Sequence, residues 1–353
     1  MPEKSYFAGS NSALGFSSYF DGLMDPARLN SLYILKGGPG VGKSSFMKKF
    51  GAAMRSAGYE AEFIHCSSDH DSLDGILIKD IKVMLVDGTA PHMVDPRLPG
   101  AADQIINLGA YLDGSALKSQ KQEIIDIGAK KSDCYQSAYR YLSGAGTLFR
   151  ENLAIYERES EKSLLDAVLD ETVYEIFKGV GKKTSGLTRK FFTESYTSNG
   201  FISYTESFCA GNRVLNVIGK NASAISRFLT GIADEAARMG LDTDRCCLPL
   251  FPDMLQHLYI PELRLMLKSC GGEANNHFHE SINLDRTIRP DVILMPFDEI
   301  EENRSLFNTL INKALNKLKE AKYWHSELEK IYVGNMDFSA VDECFEKLIA
   351  QYR

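Results

Sequence analysis

The chain contains one unit twice. Displacing the sequence by 185 residues sets Phe7, Ser10, Gly15, Phe16, Ser18 and Tyr19 on Phe192, Ser195, Gly200, Phe201, Ser203 and Tyr204. A displacement of 182 then sets Gly37, Ser44, Phe46, Gly58, Asp71, Leu73, Ile78, Met84 and Leu85 on Gly219, Ser226, Phe228, Gly240, Asp253, Leu255, Ile260, Met266 and Leu267. The apolar pattern of strand, helix and strand repeats along with the identities, which two unrelated segments do not do by chance. Such a chain folds as two like halves, and its 353 residues are enough for each to bury a core of its own.

Within the first unit, the apolar run Leu32 to Leu35 enters a glycine cluster after Lys36, and an amphipathic stretch follows from Lys43 to Ala57. That order predicts strand, loop, helix. Glu60 to Cys66 reads as a second strand, Asp71 to Ile78 as a short helix, and Lys82 to Val86 as a third strand closing on Asp87. Strands alternating with helices imply α/β architecture with a parallel sheet. No proline stands between Gly100 and Leu248, and Leu117, Lys121, Ile124 and Gly128, like Leu148, Asn152 and Ile155, have helical spacing. Residues 115 to 178 are therefore expected to form a helical appendage. The basic, glycine-rich stretch Lys178 to Lys190 is the best linker. The expected fold is a three-layer α/β P-loop NTPase type with a parallel sheet, duplicated in tandem as 1–185 and 186–353. Each half carries a helical appendage, at the carboxyl end in the second, so that one chain can act as a monomeric pseudo-dimer.

A net charge of -7 with 44% hydrophobic residues excludes a disordered tail and offers no electrostatic footprint for a phosphate backbone, so small-molecule partners are favoured over nucleic acid. Seven cysteines, Cys66, Cys134, Cys209, Cys246, Cys247, Cys270 and Cys344, make no CxxC and read as reduced, mostly buried thiols. With no apolar run of membrane length and a polar amino terminus, the chain is expected to be cytoplasmic, with no membrane partner.

The chemistry concentrates in Gly37, Gly38, Pro39, Gly40, Val41, Gly42, Lys43 and Ser44, which satisfy G-x-x-x-x-G-K-[ST] in full. Between a strand and a helix, the amides of such a loop point at phosphate oxygens while the helix dipole favours their charge. Glycine is needed because side chains would block that approach. Lys43 would reach the β and γ phosphates, and the Ser44 hydroxyl would ligate Mg2+. Asp87 stands where a second carboxylate would hold the magnesium, directly or through water; its other reading is a turn aspartate at Asp87-Gly88. Two loops should border the terminal phosphate, Ser67 to Asp71 and Gly88 to His92. Asp69 and His92 are the candidates for a base or a substrate contact. Asp69 and Asp71 could equally cap the expected helix near Ser72, and His92 could be a structural loop histidine. No glutamate follows Asp87, so fast intrinsic hydrolysis is not promised, and without Asn-Lys-x-Asp, ATP is favoured over GTP.

In the second unit the loop becomes Gly219, Lys220, Asn221, Ala222, Ser223, Ala224, Ile225 and Ser226, while Ser269 replaces Asp87. Without the lysine the main counter-charge is gone, and this half is expected to be degenerate. Arg213, Arg227 or Arg245 could still serve the first site as a finger, or be ordinary surface residues. His277, His279 and Glu280 lack further metal ligands, and Gly179 to Thr184 mimics a phosphate loop without a preceding strand. Tyr135, Tyr139, Tyr141 and Phe149 lie at helical spacing and are expected to be core.

Carried by GGPGVGKSS (Gly37 to Ser45), HCSSDHDSLDG (His65 to Gly75) and DGTAPH (Asp87 to His92), the chain resembles a largely uncharacterised family of bacterial P-loop ATPases built from tandem nucleotide-kinase-like halves. The resemblance spans nearly the whole length and implies ATP binding at Gly37 to Ser45. The sequence thus leads to an Mg·ATP-dependent ATPase or kinase-like phosphotransferase active in its first half. The alternative is an ATP-gated regulatory protein with little or no turnover.

Overall fold

The computed structural model describes residues 3–90, 93–271, 280–288 and 297–352. His92, His277 and His279 lie outside them. In the first half β1 (Lys4–Phe7) precedes β2 (Ser31–Lys36), α1 (Lys43–Ser56), β3 (Ala61–His65), β4 (Leu73–Ile78), β5 (Val83–Asp87) and β6 (Asp103–Asn107). They form one sheet ordered β1-β3-β4-β5-β2-β6, in which β4 runs antiparallel to both neighbours and the other pairs are parallel.

The segment Asp71 to Ile78 contains no helix: Leu73–Ile78 is a strand. A short apolar run fits a buried strand as well as a helix turn, and paired edges on both sides decided the matter. The sheet is mixed because β4 returns to β5 through a tight turn, where Lys82 takes φ 54° and its amide donates to the Lys79 carbonyl; so short a connection can only join antiparallel strands.

Two long helices follow, α2 (Lys121–Glu159) and α3 (Lys162–Phe177). The second half then repeats the order with β7 (Thr188–Phe191), β8 (Arg213–Ile218), α4 (Ala222–Arg238), β9 (Thr243–Cys247), β10 (Leu255–Ile260), β11 (Leu265–Ser269) and β12 (Ser281–Asn283). Its sheet runs β7-β9-β10-β11-β8-β12, again with one antiparallel strand, β10. The repeat extends to detail. Among the described residues, the two non-glycine positions with positive φ are Lys82 and Arg264, which are 182 apart and occupy the same turn. Ser44 Oγ accepts from the Leu73 amide at 3.0 Å, and Ser226 Oγ accepts from the Leu255 amide at 2.9 Å.

The halves meet as near-symmetric partners. Phe7 and its counterpart Phe192 exchange backbone hydrogen bonds of 2.8 and 2.9 Å, and Ser10 Oγ lies 3.3 Å from Ser195 Oγ. A residue contacting its own copy is the mark of a two-fold, isologous interface. The hairpins Gly9–Ser12/Gly15–Ser18 and Glu194–Thr197/Gly200–Ser203 reach across it. The Ala13 amide donates to the Leu250 carbonyl, and the matching Ser198 amide donates to Ser68.

One face of the first sheet packs on α1, with Phe46, Met47 and Phe50 buried against Leu35, Ile76 and Leu85. Among the described residues the opposite face meets the one-turn helices Phe20–Leu23 and Glu206–Cys209 and the second half, in place of the layer of long helices expected there. Leu32, Ile34, Met84 and Val86 turn into a cluster shared with Phe191, Cys246, Tyr259 and Met266 of the second half. The last elements are α5 (Phe297–Val333) and α6 (Phe338–Ile349). α2 and α5 pack antiparallel, the Phe149 ring lying tilted beside Phe307 at one end and Lys130 lying over Trp324 at the other. The terminal helices are exchanged. Leu165, Val168 and Phe177 of α3 bury against Phe228 and Ile232 of α4, whereas Phe345 of α6 meets Phe46 of α1 at 5.3 Å between ring centres. All seven cysteines are free, three buried and four half-buried. Among the described residues no helix is long and apolar enough to cross a membrane.

Candidate functional site

β2 delivers the chain to Gly37, and the loop turns through φ values of 150° at Gly37, 73° at Gly40 and 93° at Gly42, which L side chains rarely adopt. α1 begins at Lys43 with no side chain capping it. Its first amides are therefore left for solvent or an anion. The Lys43 side chain, only 9% exposed, folds back over the loop and donates to the Gly37 and Gly38 carbonyls at 2.9 and 2.8 Å. Asp87 Oδ2 lies 3.6 Å from that ammonium, at the end of β5 and level with Leu35 of β2. Its other oxygen accepts from the Thr89 amide at 2.9 Å and the Thr89 hydroxyl at 2.5 Å. Burial pushes the Asp87 carboxyl up, more than Lys43 and Thr89 pull it down. Both readings of Asp87 thus apply to one side chain: it closes a turn and faces the lysine.

Asp69 caps no helix, since a strand follows. Its carboxylate accepts from the Ser72 hydroxyl at 3.0 Å and from Lys322 of α5 at 2.6 Å. Burial opposes its charge, but the Lys322 ammonium outweighs burial and holds it below the usual carboxylate range.

These groups open on one cavity of about 780 Å³. Its floor is the loop, including Pro39, Val41 and Ser45, together with Asp69 and Asp87; its roof is the α2/α5 pair. From α2 come Ile124, Gly128, Lys131, Tyr135 and Tyr139, spaced four, three, four and four apart along one face. Tyr135 is thus a wall of the cavity rather than core, while Tyr141 and Phe149 do pack in a cluster with Phe251 and Phe307. From α5 come Lys322, His325, Glu329 and Tyr332. A Cβ on Gly38 would stand 2.7 Å from the Tyr332 ring, and one on Gly40 would stand 2.9 Å from Val333 Cγ2. The end of α5 therefore rests on the loop itself. Burial, helped by Lys131 and Lys322, draws His325 down to about 4, and burial also lowers Lys131. A depression of about 830 Å³ on the outside of α6 carries no such convergence of groups from several elements.

Lys131, Lys322 and His325 escape sequence reasoning because no short motif holds them. Their only trace is a stripe of mixed character, polar residues interrupting an apolar helical face where a core stripe would be continuous.

The second copy differs locally. Its helix starts at Ala222, the counterpart of Gly40, one turn earlier than α1. Asn221 caps it, accepting from the Ser223 and Ala224 amides at 3.0 and 3.2 Å. The amides that an anion would need are thus already taken, and Ile225, in the place of Lys43, is 4% exposed in the apolar cluster. The three arginines bond within or beside their own half: Arg213 to Glu280, Arg227 to Asp166 and Arg245 to Asp234. None of them lines the cavity. The cation that the carboxyl-terminal part brings to it is Lys322. Gly179 to Thr184 is an irregular connection before β7.

Comparison with protein-family models, curated proteins and solved structures finds no match.

Proposed function

We propose that the chain binds Mg·ATP at the Gly37 to Ser45 loop and transfers its terminal phosphoryl group to water or to an acceptor, with the first half alone active, as a P-loop NTPase. What carries the reading is the uncapped start of α1 behind three positive-φ glycines, with a nearly buried Lys43 over the loop and Asp87 beside it. Entering phosphates would replace the two carbonyls as partners of the Lys43 ammonium, exchanging neutral hydrogen bonds for charge-assisted ones. The Ser44 hydroxyl and the Asp87 carboxylate are the oxygen donors a hard cation requires, so the residues fit magnesium. Bound there, magnesium would neutralise charge developing between the β and γ phosphates. The protein's own part is positioning and exclusion of water by the helical roof.

The test is phosphate release from Mg·ATP. Linear release that Lys43→Ala reduces to background supports the enzyme, whereas full binding and turnover by Lys43→Ala would sink the assignment. A second reading, a nucleotide-gated switch, is favoured by one contact: Tyr332 on Gly38 couples loop occupancy to a helix that begins in the second half. Tight binding of a non-hydrolysable ATP analogue, with no Lys43-dependent release, would select it.

A further inference from the structure

The phosphate loop accounts for Lys43, Ser44 and Asp87, but not for the cations in the roof. Lys131 on α2 is half-buried, and among the described residues no carboxylate lies within ion-pair distance of it. Lys322 on α5 holds Asp69 at 2.6 Å, and neutral His325 belongs to the lining of the same cavity, within electrostatic reach of Lys131, Lys322 and Lys43. Burial has cost the Lys131 ammonium its water, and the attraction of the Glu329 carboxylate in the same lining does not make up for it, so an incoming anion relieves the cost. The volume, about 780 Å³, is near the upper end of small-molecule sites, of which a phosphate chain fills only a part. Beside the lysine, Tyr135 and Tyr139 stack with ring centres 6.2 Å apart and supply a wall for the body of a small molecule.

We propose that Lys131, with Lys322, forms a second anion subsite in the roof of the cavity, separate from the phosphate loop, which holds the phosphate or carboxylate group of a small-molecule phosphoryl acceptor. This rests on the nucleotide reading above. The bases at hand agree with an acceptor that is already an anion. Asp69 is committed to Lys322 and Ser72, Glu329 faces His325 at 3.6 Å and Lys322 at 4.0 Å, and His325 is a weak base, so none of the three is suited to strip a proton from a neutral hydroxyl. An anionic oxygen has no proton to lose. It forms the new bond to the γ phosphorus, the bond from that phosphorus to the bridging oxygen breaks, and ADP leaves with the electron pair.

Phosphorus NMR titration of the full chain with inorganic phosphate, without and with saturating Mg·AMP-PNP, tests this. Phosphate is expected to bind the nucleotide-loaded protein, and Lys131→Ala to weaken it by about tenfold or more while AMP-PNP affinity holds. Lys131→Arg keeps the charge and is expected to bind phosphate, which separates a lost contact from a misfolded chain. One-for-one displacement of phosphate by AMP-PNP overturns the proposal, because the roof cations then serve the nucleotide itself. Undiminished phosphate binding by Lys131→Ala overturns it as well. Lys131-dependent phosphate binding in a protein that takes no AMP-PNP would overturn the nucleotide reading and leave the subsite standing.

Discussion

Lys43 is bonded to carbonyls of its own loop, and His325 sits in the roof of the cavity, stripped of water near the ammonium groups of Lys131, Lys322 and Lys43, with the Glu329 carboxylate 3.6 Å away. The imidazole should therefore stay neutral well into acid. Its folded value near 4 lies below the ordinary value of about 6.5. Between those two limits the unfolded chain takes up a proton that the folded chain refuses, so this group's contribution to stability declines as pH falls through that window. Following the His325 ring by NMR should give a midpoint near 4; a midpoint at or above the ordinary value would mean that the roof does not close over the site. Asp87 shifts the other way for the same cause: burial raises its carboxyl despite the attraction of Lys43.

Among elements, α1 and α4 are the same helix with opposite beginnings. One starts uncapped behind glycines, while the other starts a turn earlier under Asn221. Restoring the lysine alone should not restore a site. Ile225→Lys puts an ammonium into the apolar cluster around Phe228 and Leu284, with the helix amides still taken by Asn221. We expect no gain of AMP-PNP binding and a loss of roughly 3–5 kcal/mol in stability, read from the urea midpoint. Appreciable nucleotide binding by this variant would show that the cap is not what closes the second loop. The two serines are a part of the loop that both halves share. Ser44 and Ser226 both hold the first residue of the antiparallel strand, a structural duty independent of phosphate.

At the scale of the whole molecule, the seam between halves is locked by a buried charge cluster. Arg189 donates to Asp244 of its own half and to Glu62 of the other, each at 2.7 Å, and Glu62 and Asp244 are one repeat position 182 residues apart. Burial pushes the Glu62 carboxyl up, but Arg189 and Lys79 outweigh it and hold it well below the usual range. A carboxyl so depressed stabilises the fold fully above its ordinary value of about 4.3, and that contribution fades as pH falls below it. Arg189→Ala would take from buried Asp244 its two hydrogen bonds and leave Glu62 to Lys79 at 3.1 Å, and should cost roughly 3–5 kcal/mol at neutral pH. The deficit should shrink in acid as Glu62 takes up a proton. Urea unfolding of both proteins at neutral and acid pH measures this, and equal midpoints at neutral pH would show that the cluster does not hold the halves together.

The duplication, the strand, loop and helix around Gly37 to Ser44, the loss of that loop at Ala224 and Ile225, and the long helices after residue 115 were all legible in the sequence, because each is a local pattern or a comparison of the chain with itself. The antiparallel β4 was not, since Leu73 to Ile78 has no periodicity that separates strand from helix. Nor were Lys131, Lys322, His325 and Tyr135 as neighbours of the loop. They arrive on helices that cross between the halves, and a crossing is settled by which apolar faces bury one another, not by any residue's sequence neighbours. The sequence alone determines that a G-x-x-x-x-G-K-S loop stands in one half and not in its repeat; only the tertiary structure decides what is set against it, because packing joins faces that the chain order keeps hundreds of residues apart.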